Sequence, residues 1–508
     1  MVLSPSVYQV LVGVFASMGA FMLGYDLGVI AGVVASPTFI DEFNEPNAVH
    51  TGLVVSLFTV GCVPGAAFAG PFGDYLGRRA TLALGSVVFL IGGAIQTAAM
   101  SLSYLYGGRF VAGLGTGILV MAVPLYQAEL AHPNIRGRIN ALVQFMLGIG
   151  SFLAAWITYG TLLNIDGSNA QWRIPLGIQN APTVFLATLI WFFPESPRWL
   201  MDKGREEDAL HTLARLHANG NTSDAFVQAE FEEIRLSIQM EHEYEAKSYI
   251  ELFQSKTSFK RLLIGVALQA SGQMTGVSAI QYYSPTIFGQ IGISTIDTLK
   301  YQGISNLLAL FGEACCFLFI DKLGRRWVLI GGNLVHMVCF LIATILLAKF
   351  PPGSAENESA QWAFIAFTWI YNYTFSATVG PLSWIIPAEI FDTRTRAKGV
   401  SISTMTTFAF NTMIGQVTPI AMERIGYRYY FLFIICNFTN ALFFWLFLPE
   451  TTRLPLEKMN EVFAGPWIVV GSSKRVKALR EVGVEDGELE KKHDGEEAEH
   501  VHARKVSL

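Results

Sequence analysis

Long apolar runs set the pattern of this chain. They fall near residues 7–33, 51–72, 81–101, 104–130, 138–161 and 175–194, and after a charged interval near 260–290, 299–320, 327–349, 362–388, 399–420 and 428–449. A helix that crosses a bilayer needs roughly 20 mostly apolar residues. Inside lipid a segment must satisfy its own backbone hydrogen bonds, so these windows predict helices and not strands. The pattern therefore predicts an all-α membrane protein with twelve transmembrane helices, here numbered as spans one to twelve. Residues 1–194 form one six-helix bundle and 260–449 a second.

The polar intervals are of two kinds. Residues 195–259 keep helical periodicity in Leu210, Leu213 and Leu216, and again in Phe231, Ile234 and Leu236. They read as short amphipathic linker helices in the cytosol. Residues 450–508 alternate charges with almost no bulky apolar residues, a composition that cannot bury a core and predicts a largely disordered cytosolic tail.

Charge sharpens this picture. The chain is 52% apolar and 15% charged, against about a quarter charged in a soluble domain. Residues 195–261 and 450–508 together hold 44 of its 75 charged residues. That distribution excludes a soluble enzyme, a disulfide-stapled secreted domain and a nucleic-acid binder. On the side shared by both termini lie 29 of the 35 basic residues, which predicts cytosolic termini. The five cysteines lie in apolar stretches without metal-ligand spacing, so neither metal nor cofactor is expected. No cleavable signal peptide is evident, since the first window carries Asp26 and does not end in a cleavage site.

Three motifs occur twice. Asp74-Tyr-Leu-Gly-Arg-Arg79 recurs as Asp321-Lys-Leu-Gly-Arg-Arg326, each after the second span of its half. Glu129 with Arg136 recurs as Glu389 with Arg396, and Pro194-Glu195-Ser-Pro-Arg198 as Pro449-Glu450-Thr-Thr-Arg453. Duplicated halves are how many transporters are built, with the substrate site between them at mid-membrane. The arginine forks suit carboxylates and helix-end carbonyls. Arg78, Arg79, Arg325 and Arg326 could clasp Glu129, Glu195, Glu389 and Glu450 as a cytosolic gate that holds when that side is closed. The plainer alternative is positive-inside anchoring with surface pairs of about 0–1 kcal/mol each.

A carboxylate inside a span is costly and points to function. Asp26 of span one has one natural partner, Arg109 of span four. The pair predicts either proton loading as the spans move or a static tie between them. Glu313 of span eight is a second acid, open to two readings: a part in protonation, or a side chain near a helix end that snorkels. The run Gly113-x-Gly115-x-Gly117 is read as close helix packing. Asn357-Glu-Ser359 is a glycosylation acceptor. The tail histidines His493, His500 and His502 are not read as a metal site.

Taken together, these motifs resemble the sugar porter family of the major facilitator superfamily over almost the whole membrane part. The resemblance implies the major facilitator fold, alternating access and a central sugar site. By resemblance, Gln144, Gln273, Trp384 and Asn411 fall on sugar-contacting positions, and Tyr282 and Tyr283 on the extracellular gate. It also implies that an Asp–Arg pair such as Asp26–Arg109 belongs to proton-coupled members. Two positions depart from the pattern. One span-seven glutamine is missing while Ser278 replaces an asparagine, and Ala309 stands where span eight usually has asparagine, which points to a different hydroxyl pattern in the substrate. The expectation is a monomeric plasma-membrane monosaccharide:proton symporter whose partners are a sugar, a proton and membrane lipid. A sugar uniporter, or a sensor that signals without transport, stands as the alternative.

Overall fold

The computed structural model describes residues 5–244, 249–352, 357–392, 394–451 and 462–469, with backbone alone at some helix positions, Arg136 and Asp321 among them. Arg453, the tail histidines and nearly all of the expected disordered tail lie outside the described residues.

The described residues contain twelve long helical segments. Before the linker come Pro5–Ala16 continued by Met18–Val34, then Ala48–Leu76, Arg78–Thr97, Leu102–Leu130, Pro133–Asn164, and Ala170–Ile178 continued by Asn180–Leu189. After it come Lys256–Met274 continued by Val277–Gly289, then Thr295–Leu323, Arg325–Lys349, Asn357–Ala377 continued by Val379–Ile390, Arg396–Ile425 and Tyr430–Phe447. These are spans one to twelve, and no strand occurs among the described residues. Span seven breaks at Gly276, whose φ of +99° suits a residue without a side chain.

Within the first half, spans one and five, two and four, and three and four pack together; in the second, seven and eleven, eight and ten, and nine and twelve. The glycine run of span four explains part of this. A Cβ on Gly113 would lie 1.9 Å from the carbonyl oxygen of Phe58, and one on Gly117 would lie 2.3 Å from that of Cys62, both on span two. Small residues let these backbones approach, so the run is a packing device.

The halves meet along three seams: span two against eleven, five against eight, and one against seven. Call the side that holds the linker the linker face and the other the far face. Toward the far face one apolar cluster joins both halves, with Val29, Val54 and Trp172 packed among Tyr282, Ile287, Ile414 and Tyr430. Toward the linker face each half keeps its own core. Val12, Leu82 and Leu119 belong to one, joined by Phe408 alone from span eleven; Leu268, Leu329 and Phe444 belong to the other. The apolar contact between the halves is thus continuous at the far face, which it seals, and divides into two cores toward the linker face.

The linker helices Pro197–Asp202, Glu206–His217 and Ala225–Tyr244 share a small core of Leu200, Leu213, Val227 and Phe231. Gln9 of span one ties them to the first half through the carbonyl of Leu216 at 2.8 Å. Leu236, expected on the apolar face with Phe231 and Ile234, is exposed instead. Its place in the helix sets it away from the stripe that the short core can cover.

Candidate functional site

Asp26 and Arg109 meet in the core of the first half, both almost without solvent exposure. The Nη1 group of Arg109 donates to both carboxylate oxygens, at 2.6 and 2.7 Å. Its Nε donates to the carbonyl of Val54 at 2.9 Å, and the guanidinium lies 4.6 Å from the ring of Phe58. Three spans are therefore tied through one cation. Either charge alone would be expensive there; together, with their hydrogen bonds filled, the cost is largely offset. Span five comes close beside the pair, where Ser151 Oγ donates to the carbonyl of Gly24 at 2.7 Å.

A second polar group lies on the broken span seven and on span eleven. Ser278 Oγ donates to Gln273 Oε1 at 2.6 Å, and Asn411 Nδ2 donates to the same oxygen at 3.1 Å. Tyr282 donates its hydroxyl hydrogen to Asn411 Oδ1 at 2.8 Å. Gln273, Ser278, Asn411 and Tyr282 thus form one network whose donors and acceptors match hydroxyl groups. Tyr282 also shares one apolar cluster with Tyr25, next to Asp26 in the chain, and with Val54, whose carbonyl Arg109 holds. The neighbouring Tyr283 is buried and donates to the carbonyl of Gly415 at 2.6 Å. Above it, at the far face, sits an open pocket of about 260 Å³ lined by Thr51, Tyr283, Gln290 and Glu423 among others.

Gln144 is not part of that network. Its Nε2 donates to Glu313 Oε1 at 3.2 Å, across the seam between spans five and eight. Trp384 is half-buried on Val379–Ile390, the second piece of span ten. The far-face seam holds polar bridges that no sequence motif marks. Ser56 donates to Gln416 at 2.9 Å, and the hydroxyls of Thr59 and Thr412 meet at 2.8 Å, all between spans two and eleven. Their only signal in the sequence is a polar residue inside an apolar window.

At the linker face the expected clasps resolve into two kinds of contact. Arg78 forks onto Glu129 with two bonds of 2.9 Å, and Arg325 meets Glu389 at 3.2 Å. Each of these pairs lies inside one half. Glu195 and Glu450 instead accept backbone N–H groups at the starts of spans three and nine. Glu195 takes those of Arg78 at 3.0 Å and Arg79 at 3.2 Å; Glu450 takes those of Arg325 at 2.8 Å and Arg326 at 3.2 Å. The first helical N–H groups lack intrahelical partners and favour a negative charge nearby. Burial pushes the Glu195 carboxyl up from its ordinary value, while the N–H groups of Ser196, Arg79 and Arg78 pull the other way.

The guanidinium of Arg79 donates to the carbonyl of Phe193 at 2.9 Å and lies over Trp191. That of Arg326 donates to the carbonyl of Trp445. Asp74 is largely exposed and lies 3.3 Å from Arg78. Arg396 points its Nε at the carbonyl of Phe391 at 3.4 Å. Arg198 sits half-buried on Pro197–Asp202. The side chains of Arg136 and Asp321, and all of Arg453, lie outside the described residues.

Comparison with known proteins gives a consistent result. The sequence profile of a family described as "Sugar (and other) transporter" matches residues 12–463. The MFS-type transporter criB of Aspergillus cristatus is 32% identical over 452 residues, covering 89% of this chain and 92% of that protein. The low-affinity glucose transporter HXT3 of Saccharomyces cerevisiae is 32% identical over 473 residues, covering 89% and 82%. Among solved structures, the proton:xylose symporter XylE bound to 6-bromo-6-deoxy-D-glucose superposes with a TM-score of 0.74 at 24% identity, covering 90% of this chain and 99% of that one. The inward-open form of XylE from E. coli gives 0.74 at 23% identity, covering 90% and 100%.

Proposed function

This chain belongs to the sugar transporter family of the major facilitator superfamily, a multi-pass membrane transporter and not an enzyme, and from that premise we propose that it moves a monosaccharide by alternating access, coupled to a proton through Asp26. The observation that carries this reading is the pairing of two sites. The buried ion pair Asp26–Arg109 and Tyr282 meet through one apolar cluster that holds Tyr25, Val54 and Tyr282, and the hydroxyl of Tyr282 donates to an amide network suited to sugar hydroxyls. Sugar and proton sites that border one packed cluster can influence each other's occupancy. Protonation of Asp26 would remove the charge that Arg109 holds and loosen spans one, two and four. That is a differential interaction between conformers, which population shift requires.

In this reading the linker face is cytosolic, supported by the excess of lysine and arginine there, and the membrane is the plasma membrane. The conformer described, sealed at the far face, is then closed to the outside. Gln144, Gln273, Ser278, Trp384 and Asn411 contact the sugar, and Tyr282 and Tyr283 close the outer path. The intra-half clasps Arg78–Glu129 and Arg325–Glu389, with the Glu195 and Glu450 caps, hold the cytosolic ends of each half rigid as it rocks. They serve as the fixed parts of the gate, together with Asp74, Arg79, Arg326 and the remaining charges of the repeated motifs.

The test is radiolabelled uptake in yeast lacking hexose transport, with D-glucose, D-xylose, D-galactose, a disaccharide and a polyol, on the parent and on Asp26→Asn. The expected result is accumulation of a monosaccharide that collapses with a protonophore and is lost in Asp26→Asn. Uptake indifferent to both would make the protein a uniporter. No uptake by surface-located protein would point to a sensor or to another substrate class.

A further inference from the structure

Glu313 differs from every other charged group described inside the membrane. It is 3% exposed, and among the described residues its Oε1 accepts only the amide of Gln144 and its Oε2 has no partner. Its place in the seam is specific. Spans five and eight touch in register from the far face inward: Trp156 against Gly303, the Ser151 carbonyl accepting from Asn306 at 3.0 Å, and Gly148 against Leu310. Glu313 over Gln144 comes next, toward the linker face. A Cβ on Gly148 would lie 2.9 Å from Glu313 Oε2, so the glycine leaves the space the carboxyl fills.

The surroundings offer no cation among the described residues. Span five presents Gln144 and Gly148. Span ten passes with Tyr373, whose hydroxyl meets Cys315 Sγ at 3.4 Å. His336 of span nine faces Tyr371 and Phe375 instead. The spans around Glu313 carry their lysines and arginines near their ends. An anion shut from water without a counter-charge is costly, whereas a neutral carboxyl keeping one hydrogen bond is not.

We propose that Glu313 is a second proton-binding residue of the transport cycle, separate from Asp26, which holds a proton while the seam between spans five and eight is closed over it and releases it to water when that seam opens from the far face. The bond formed on closing is Oε2–H, and its proton comes from far-face water. Low pH then favours the far-closed conformer and high pH the far-open one. The inference rests on the alternating-access reading above, but its test needs no sugar.

Val55 is buried on the far-face seam, beside Gly415 of span eleven. The test labels Val55→Cys in the full-length protein in nanodiscs with a membrane-impermeant maleimide from pH 5 to 8. Rates are divided by those of the same thiol in SDS-unfolded protein, and labelling of the parent's native cysteines is subtracted. In the Asp26→Asn background, where Glu313 alone responds, labelling is expected to rise with pH by up to about tenfold per unit, the limit for one proton. The rise should persist when Glu313→Asp is added to that background, and adding Glu313→Gln should give slow labelling at every pH. In that background a flat response, or a rise that survives Glu313→Gln, would overturn the proposal. A chain that moves no sugar in yeast yet labels as expected would overturn the transport reading and leave this one standing.

Discussion

At the linker face, Gly77, Arg78 and Glu195 of the first half sit as Gly324, Arg325 and Glu450 of the second half do. Both glycines have positive φ, +92° and +85°, and at both a Cβ would meet the capping carboxylate, at 2.7 and 2.6 Å. Inside the membrane the likeness ends, and the ties differ in depth as well as in kind, with Arg109 near the far end of span four and Ser383 near the linker end of span ten. Spans one and four of the first half are joined by the Asp26–Arg109 ion pair. Spans seven and ten of the second are joined by a neutral contact, Gln269 Nε2 donating to the carbonyl of Ser383 at 2.9 Å, while Thr407 donates to Gln269 Oε1 at 2.7 Å. The duplication survives where both halves need the same rigid corner. It has been lost where one half carries a charge and the other offers amides.

The sharpest way to break this contrast is to remove each central tie. Arg109→Ala leaves Asp26 buried beside no cation, at a cost of about 3–5 kcal/mol. Gln269→Ala removes two neutral hydrogen bonds, worth about 1–2 kcal/mol together. Thermal melting of the detergent-solubilised protein should therefore fall much further for Arg109→Ala. Equal falls would mean that the ion pair is no more than another helix tie.

The corners should behave in the opposite way, with matched effects. An alanine at Gly77 or Gly324 must adopt a positive φ with ψ of 166° or 165°, a region essentially reserved for glycine, at about 1–3 kcal/mol, and its Cβ would also displace the carboxylate that caps the next span. Gly77→Ala and Gly324→Ala are expected to lower the melting temperature by similar amounts. A large fall for one and none for the other would show that the repeated motif serves different ends in the two halves.

The sequence made the spans, the repeat and the Asp26–Arg109 pair legible for a common reason. Charge in lipid is so costly that where it sits, and what it must pair with, follows almost from composition. The corners were half legible. The arginine–glutamate pairings of Arg78 with Glu129 and Arg325 with Glu389 follow from charge, but Glu195 and Glu450 bind backbone N–H groups, which every residue has and no motif marks. Neutral partners were the hardest. Gln144 and Gln273 have the same side chain, yet one faces Glu313 across a seam and the other faces Ser278 and Asn411. That choice depends on where span seven breaks and on which glycines let span five approach, and those are properties of packing.

The smallest expected effect lies within the amide network. Ser278→Ala removes the hydroxyl that donates to Gln273 and accepts from Asn411 at 3.2 Å. Gln273 keeps the Asn411 bond, and the helix break at Gly276 does not depend on the serine, so stability should scarcely move. The loss falls on the orientation of the amide oxygen that would meet a sugar hydroxyl. About 1 kcal/mol of binding corresponds to roughly a fivefold rise in KM for the transported sugar, with maximal uptake nearly unchanged. If maximal uptake fell while KM stayed constant, Ser278 would act in the movement of span seven, and the second half would share in the mechanics now assigned to the corners.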